Sequence, residues 1–158
     1  MDNLPKGWEE KFLPDVVLNE KHAIKRGPFG SALKKEFFVN SGYKVYEQKN
    51  AIHNNFNIGE YFISDEKFKE LSAFEIKSGD FIISCSGTIG KIALAPENIE
   101  KGIINQALLK ISLDAKKISK AYYKYFFENY VLKGELESNI KGAAIRNIAS
   151  VKELKQIP

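Results

Sequence analysis

Ile83-Ser84-Cys85-Ser86-Gly87-Thr88-Ile89-Gly90-Lys91-Ile92-Ala93 sets a Gly-Thr-Ile-Gly turn between two apolar, alternating runs, Phe81 to Cys85 and Ile89 to Leu94. The pattern predicts a β-hairpin with a small, polar tip and Lys91 close behind it. Glycines at such a tip let backbone N–H groups approach an anion or a nucleic-acid groove. A phosphate-binding P-loop needs Gly, four residues, Gly-Lys-Ser/Thr and then a helix. Here Gly87 and Gly90 stand too close together, Ile92 replaces the hydroxyl residue, and a strand follows. Spacing and context therefore exclude nucleotide binding of that kind.

Around this hairpin, 158 residues are enough to bury one core without covalent staples. A content of 44% hydrophobic and 28% charged residues is that of an ordinary globular chain. A single cysteine excludes an internal disulfide, and two isolated histidines with one thiol make a poor metal set. No apolar run reaches the length of a membrane span, and Met1-Asp2-Asn3-Leu4-Pro5-Lys6 carries no signal-peptide core. A reducing cytoplasm is the expected location. The net charge of +4 is mild but unevenly placed: residues 101–158 carry 11 Lys/Arg against 5 Asp/Glu, the first hundred 13 against 15. On charge alone, a solvated basic helix face accounts for that asymmetry better than a nucleic-acid surface does.

Along the chain, Trp8 to Val17 suggests a short strand and a helix entry, with Trp8 and Phe12 as core anchors. Lys25-Arg26-Gly27-Pro28-Phe29-Gly30-Ser31 is a loop by its Gly-Pro punctuation. Phe37 to Val39 and Tyr43 to Tyr46 are strand candidates around the Asn40-Ser41-Gly42 turn. Tyr61 to Ile63 is another, and Ser64-Asp65 can cap a helix through Phe68 and Leu71. Phe74 to Lys77 leads as a strand into the hairpin, and Gly102 to Leu113 predicts one longer strand. Ser119 caps the one strong helix, where Tyr122, Tyr123, Phe126, Phe127, Tyr130 and Val131 form a wide apolar stripe suited to packing on a sheet. Gly134 ends or weakens it, and Ser150 caps a last short helix through Leu154. The expected fold is a mixed α/β (α+β) single domain over residues 1–158. It has short, largely antiparallel strands in a twisted sheet, one long amphipathic helix and several irregular loops.

No catalytic constellation emerges. Cys85 lies in an apolar strand far in sequence from either histidine, and a small buried thiol is expected. His22 and His53 suit surface or capping roles. No Gly-x-Gly-x-x-Gly follows a first strand, so no dinucleotide or other cofactor is expected, and no metal. Four glycine-bearing or polar loops combine cations with amides instead: residues 25–31, 44–50, 86–91 and 142–147, with Asn105-Gln106 beside them. Cations neutralise phosphates, glycine amides approach phosphate oxygens, and Gln, Asn and Arg read base edges. The DNA-binding set predicted from these loops is Lys25, Arg26, Gly27, Gly30, Ser31, Lys44, Tyr46, Gln48, Ser86, Gly87, Thr88, Gly90, Lys91, Arg146 and Asn147.

Leu4-Pro5-Lys6-Gly7-Trp8, Lys25 to Ser31, Ser86-Gly87-Thr88-Ile89-Gly90, Asn105-Gln106-Ala107, Gly142 to Ile148 and the closing Leu154-Lys155-Gln156-Ile157-Pro158 occur in that order. Together they resemble a target recognition domain of the specificity (S) subunit of type I restriction–modification systems, over nearly the whole chain. The resemblance implies a non-catalytic module that reads one half of a split double-stranded DNA target. Its partners would be the methyltransferase (M) subunit, which uses S-adenosylmethionine, and the restriction (R) subunit. A full S subunit carries two such domains separated by long helices. This chain matches one, the first, and ends at Pro158 where a spacer helix would begin, as expected of an excised domain, a truncated product or half of a split subunit. Three alternatives stay open: a recognition domain from a single-chain restriction–methylation enzyme, an RNA or single-strand binder using Gly87-Thr88-Ile89-Gly90 as a Gly-x-x-Gly clamp, and a protein-interaction module docking through the aromatic helix.

Overall fold

A computed structural model of the protein describes residues 4–129 and 151–156. Among the described residues, nine short strands divide between two sheets. The first sheet has the order β1 (Ile24–Arg26), β9 (Leu108–Ile111), β6 (Phe81–Ser84), β7 (Ile92–Leu94), and every pair in it is antiparallel. The second has the order β2 (Phe38–Val39), β4 (Phe62–Ile63), β3 (Tyr43–Tyr46), β8 (Gly102–Ile104), β5 (Glu75–Ile76). Its β3–β8 pair is parallel and the rest are antiparallel. The helices are short: α1 (Leu13–Val16), α2 (Gln48–Ile52), α3 (Asp65–Glu70), α4 (Lys120–Phe126) and α5 (Val151–Leu154). This is the mixed α/β, antiparallel-dominated architecture expected from the strand patterning.

Strand parity explains how the layers assemble. On β6, Phe81, Ile83 and the following Cys85 face a core shared with Leu13 and Val16 of α1 and with Tyr123 and Phe127, whereas Ile82 faces Tyr46, Ile76 and Ile104 across the gap between the sheets. On the far side of the second sheet, Val45 and Ile103 pack with Ile63, Phe68, Leu71 and Leu33. Both sheets are covered on both faces, so Phe81-Ile82-Ile83 is a continuous apolar run. The α4 stripe packs only in part where it is described: Tyr123 lies tilted at 5.8 Å from Phe81, Phe127 is buried and Phe126 partly buried, whereas Tyr122, expected in the stripe, is exposed. Ser119 Oγ accepts from the Tyr122 amide and Ser64 Oγ from the Lys67 amide, so both predicted caps form. Tyr130, Val131, Gly134 and Ser150 lie outside the described residues.

Several expectations are corrected. Trp8 is 64% exposed and Phe12 is also exposed. Trp8 sits in a turn whose amide bonds the Pro5 carbonyl, and α1 starts only at Leu13, which buries with Val16. Lys25 and Arg26 are on strand β1 rather than in a loop, paired with Lys110 and Leu109. The supposed loop 44–50 is the end of β3 and the start of α2, closed by a bond from the Glu47 amide to Asn50 Oδ1 at 2.7 Å.

The most consequential correction concerns Gly102 to Leu113, which is two strands in different sheets. Asn105 breaks the run: its Oδ1 accepts the Ala107 amide at 3.0 Å, and its carbonyl accepts the Leu108 amide at 3.1 Å. This Asx-type turn competes with strand continuation and carries the chain from the second sheet to the first.

Candidate nucleic-acid interface

The hairpin tip is built as the sequence suggests. β6 pairs β7 with Phe81 opposite Leu94 and Ile83 opposite Ile92, so the second strand starts later than Ile89 and residues 85–91 form the loop. The Gly90 amide donates to the Ser84 carbonyl at 2.8 Å, and the Lys91 amide to Ser84 Oγ at 2.9 Å. Gly87 and Gly90 have φ of +63° and +80°, which L side chains rarely adopt. Gly87, Thr88 and Lys91 are exposed, and Lys91 makes no ion pair among the described residues.

This loop is one of several that meet at a single end of the molecule, around the Asn105–Ala107 link. The Cys85 amide donates to the Ala107 carbonyl at 2.8 Å, joining the hairpin base to the link. The Asn105 amide donates to the Tyr46 carbonyl at 2.9 Å, joining the end of β3. Arg26 Nε donates to the Gln106 carbonyl at 3.2 Å, and the Gly27 amide to the Leu108 carbonyl at 2.9 Å. Gly27 has a steric reason to be glycine: a Cβ there would stand 1.8 Å from the Asn105 carbonyl oxygen. A Cβ at Gly87 would lie 3.7 Å from Gln48 Nε2, so the start of α2 adjoins the hairpin tip. Parts of three of the four predicted segments, Arg26–Gly27, Gln48 and the hairpin tip, thus adjoin the Asn105–Ala107 link. The fourth, with Arg146 and Asn147, lies outside the described residues.

Within this surface the predicted residues divide. Arg26 is partly exposed, and its Nη groups lie beyond the bond made by Nε. Gly30 and Ser31 are exposed on a 3₁₀ turn (Gly30–Ala32). Ser86 is half-buried at the hairpin base and Gly90 is buried in it. Gln48 Oε1 is buried with no hydrogen-bond partner. Lys25 points away from this end, its ammonium 4.9 Å over the Phe74 ring.

Lys44 and Tyr46 are withdrawn from the surface altogether. Lys44 is 3% exposed; its Nζ bonds the Asn57 carbonyl at 3.1 Å and lies 3.6 Å from the Glu100 carboxylate. Tyr46 is fully buried and donates its hydroxyl to the Glu100 carbonyl at 2.6 Å. Both share a strand face that points between the sheets, so the cation and phenol serve the fold. Sequence reasoning could have reached this, because a residue inside the Tyr43–Tyr46 strand at the parity of Tyr46 is not a loop cation.

Electrostatically this end holds cations without a carboxylate cluster. Lys49 is half-buried and is neutralised by Glu47 at 2.8 Å. Burial pushes the Cys85 thiol up to about 11, with nearby Arg26 pulling the other way, so the sulfur at the hairpin base is an inert packing atom. Among the described residues no group of three or more His, Cys, Asp or Glu could hold a metal ion, and no helix is long and apolar enough to cross a membrane. The Gly-x-x-Gly tetrapeptide joins two strands, whereas an RNA-clamping Gly-x-x-Gly joins two helices. Burial of Tyr123 and Phe127 likewise removes the heart of the aromatic stripe from partner docking.

No protein-family model matches the sequence, and no curated protein matches it either. Solved structures do. One is a chain from work described as the structural basis underlying complex assembly and conformational transition of the type I R-M system. It matches 98% of this chain and 34% of its own length, with a TM-score of 0.67 at 18% identity. Another is the type I restriction–modification system S subunit from M. genitalium, matched over 97% of this chain and 34% of its own, with a TM-score of 0.48 at 16% identity. The chain therefore has the fold of a part of the first of these proteins. It spans about a third of the length of each.

Proposed function

We propose that this chain is a target recognition domain that reads one half of a bipartite double-stranded DNA sequence for a type I restriction–modification system. It contributes specificity and no catalysis; methylation and cleavage reside in M and R subunits that it directs. The observation that carries this function is the convergence of loops 27–31, 86–91 and 105–107 on one end, where the exposed Lys91 and the partly exposed Arg26 come together with the side-chain amides of Asn105 and Gln106. The fold shared with a type I R-M chain supports it, as does the match to about a third of that chain, the scale of one module among several.

The roles follow from geometry. Arg26, steadied through Nε by the Gln106 carbonyl, keeps its remaining guanidinium donors without a partner among the described residues, and they suit guanine O6 and N7 or a phosphate. Lys91, exposed behind the glycine tip, neutralises a phosphate. Gln106 offers an exposed carboxamide of the kind that pairs with adenine N6 and N7. Gly87 and Thr88 let the backbone approach the DNA closely.

Selection from a randomised duplex pool, followed by anisotropy titration of the enriched duplex, tests the assignment. A short enriched motif bound at least ten-fold more tightly than scrambled duplex is expected. Enrichment of no motif, or tighter binding of single strands, contradicts it.

A further inference from the structure

Phe29 is 88% exposed, the most exposed large apolar side chain among the described residues, and no ring or cation stacks on it there. Its backbone is nevertheless fixed on both sides. Before it, the Gly27 amide is bonded to Leu108 and Pro28 is buried. After it, the Ala32 amide donates to the Phe29 carbonyl at 2.9 Å, and Leu33 anchors the turn in the core beneath the second sheet. An aromatic ring held out into water on a braced turn is pre-organised for contact, because little loop entropy is lost when it meets a partner.

The neighbourhood says which partner. Phe29 lies two residues from Gly27, which packs on the Asn105 carbonyl, and three from Arg26, which bonds the Gln106 carbonyl. Its turn therefore starts at the polar end, where Arg26, Lys91 and the side-chain amides of Asn105 and Gln106 suit phosphates and base edges. That end otherwise presents polar groups, while duplex DNA also carries apolar features: the thymine methyl in the major groove and the base faces exposed when a step opens. Resting on the function proposed above, we propose that Phe29 is a specificity residue whose ring makes an apolar contact with a target base.

The test compares the full chain with Phe29→Ala and Phe29→Leu on the selected duplex and on a scrambled duplex. Matched circular dichroism melts serve as the folding control, and the ring's exposure predicts no shift in them. Phe29→Ala is expected to weaken target binding about ten-fold while leaving scrambled-duplex binding unchanged, with Phe29→Leu recovering part of the loss. Replacing each target thymine in turn by deoxyuridine distinguishes the two contacts. One position should cost the parent chain about four-fold and the Ala variant nothing further if the methyl is touched. If the ring instead enters an opened step, 2-aminopurine placed there should brighten with the parent chain and not with Phe29→Ala. Equal target affinity for Phe29→Ala and the parent, or an equal loss on both duplexes, overturns the proposal while leaving DNA recognition intact. Failure of the parent chain to prefer any duplex overturns the function and this inference together.

Discussion

Arg26 Nε donates to the backbone carbonyl of Gln106 at 3.2 Å, so the last residue of β1 is tied by its side chain to the turn that carries the chain between the two sheets. The Nε–H is spent on the scaffold, and the Nη groups make no hydrogen bond or ion pair among the described residues. Arginine holds both sets of donors in one plane, which a lysine ammonium cannot do.

Arg26→Ala should therefore weaken binding to the selected duplex by about 1–3 kcal/mol and relax preference at one or two positions. Arg26→Lys should restore binding to scrambled duplex without restoring selectivity. Anisotropy titrations on single-position target variants check both outcomes.

Lys91 has a different expected signature, because it is an exposed cation without an ion pair among the described residues. Lys91→Gln should weaken target and scrambled duplexes alike. The slope of log K against log salt should become shallower by about one. Titrations over a range of salt concentrations measure this directly.

Two glycines of the same loop should behave oppositely. Gly27→Ala places a methyl 1.8 Å from the Asn105 carbonyl oxygen, so one backbone must move; a loss of about 3 kcal/mol or more in urea unfolding is expected. Gly30 has open space around its Cβ position, and Gly30→Ala should change stability by about 0.5 kcal/mol or less.

Burial holds the Cys85 thiol at about 11, above its ordinary value of 9.0. The unfolded chain therefore releases this proton first as pH rises. The stability contributed by the neutral thiol is complete below about pH 9 and falls between about pH 9 and 11, by about 2–3 kcal/mol in all. Buried Tyr46 and Tyr123, also pushed upward by burial, act in the same direction at higher pH. Urea midpoints from pH 7 to 11 check the trend, and thiol labelling at pH 8 should proceed only at the unfolding rate.

The hairpin, the Ser64 and Ser119 caps and the packing of the aromatic helix were legible because each rests on local chemistry: turn glycines, a hydroxyl before a helix, a repeating apolar stripe. The break at Asn105 was not, since Ile104, Ala107, Leu109 and Ile111 alternate plausibly across it. An Asx turn is indistinguishable from a strand polar position until its hydrogen bonds are seen. Lys44 and Tyr46 were misplaced for a different reason: they look like surface binding residues by type, and the strand parity that gives them one buried face was in the sequence but was not applied. Trp8 and Phe12 failed for the converse reason: residue type argued for burial, while the chain reached its core only at Leu13. At the candidate surface, composition picked out the loops, but their convergence is a product of the two-sheet topology.

Amide chemical shifts of the isotopically labelled chain, followed as the selected duplex is added, test the central claim most directly. The account predicts that the largest changes fall at residues 26–31, 86–91 and 105–107, with the outer faces of α1 and α3 unmoved. Changes centred elsewhere on the molecule, or shifts identical for target and scrambled duplex, would contradict it.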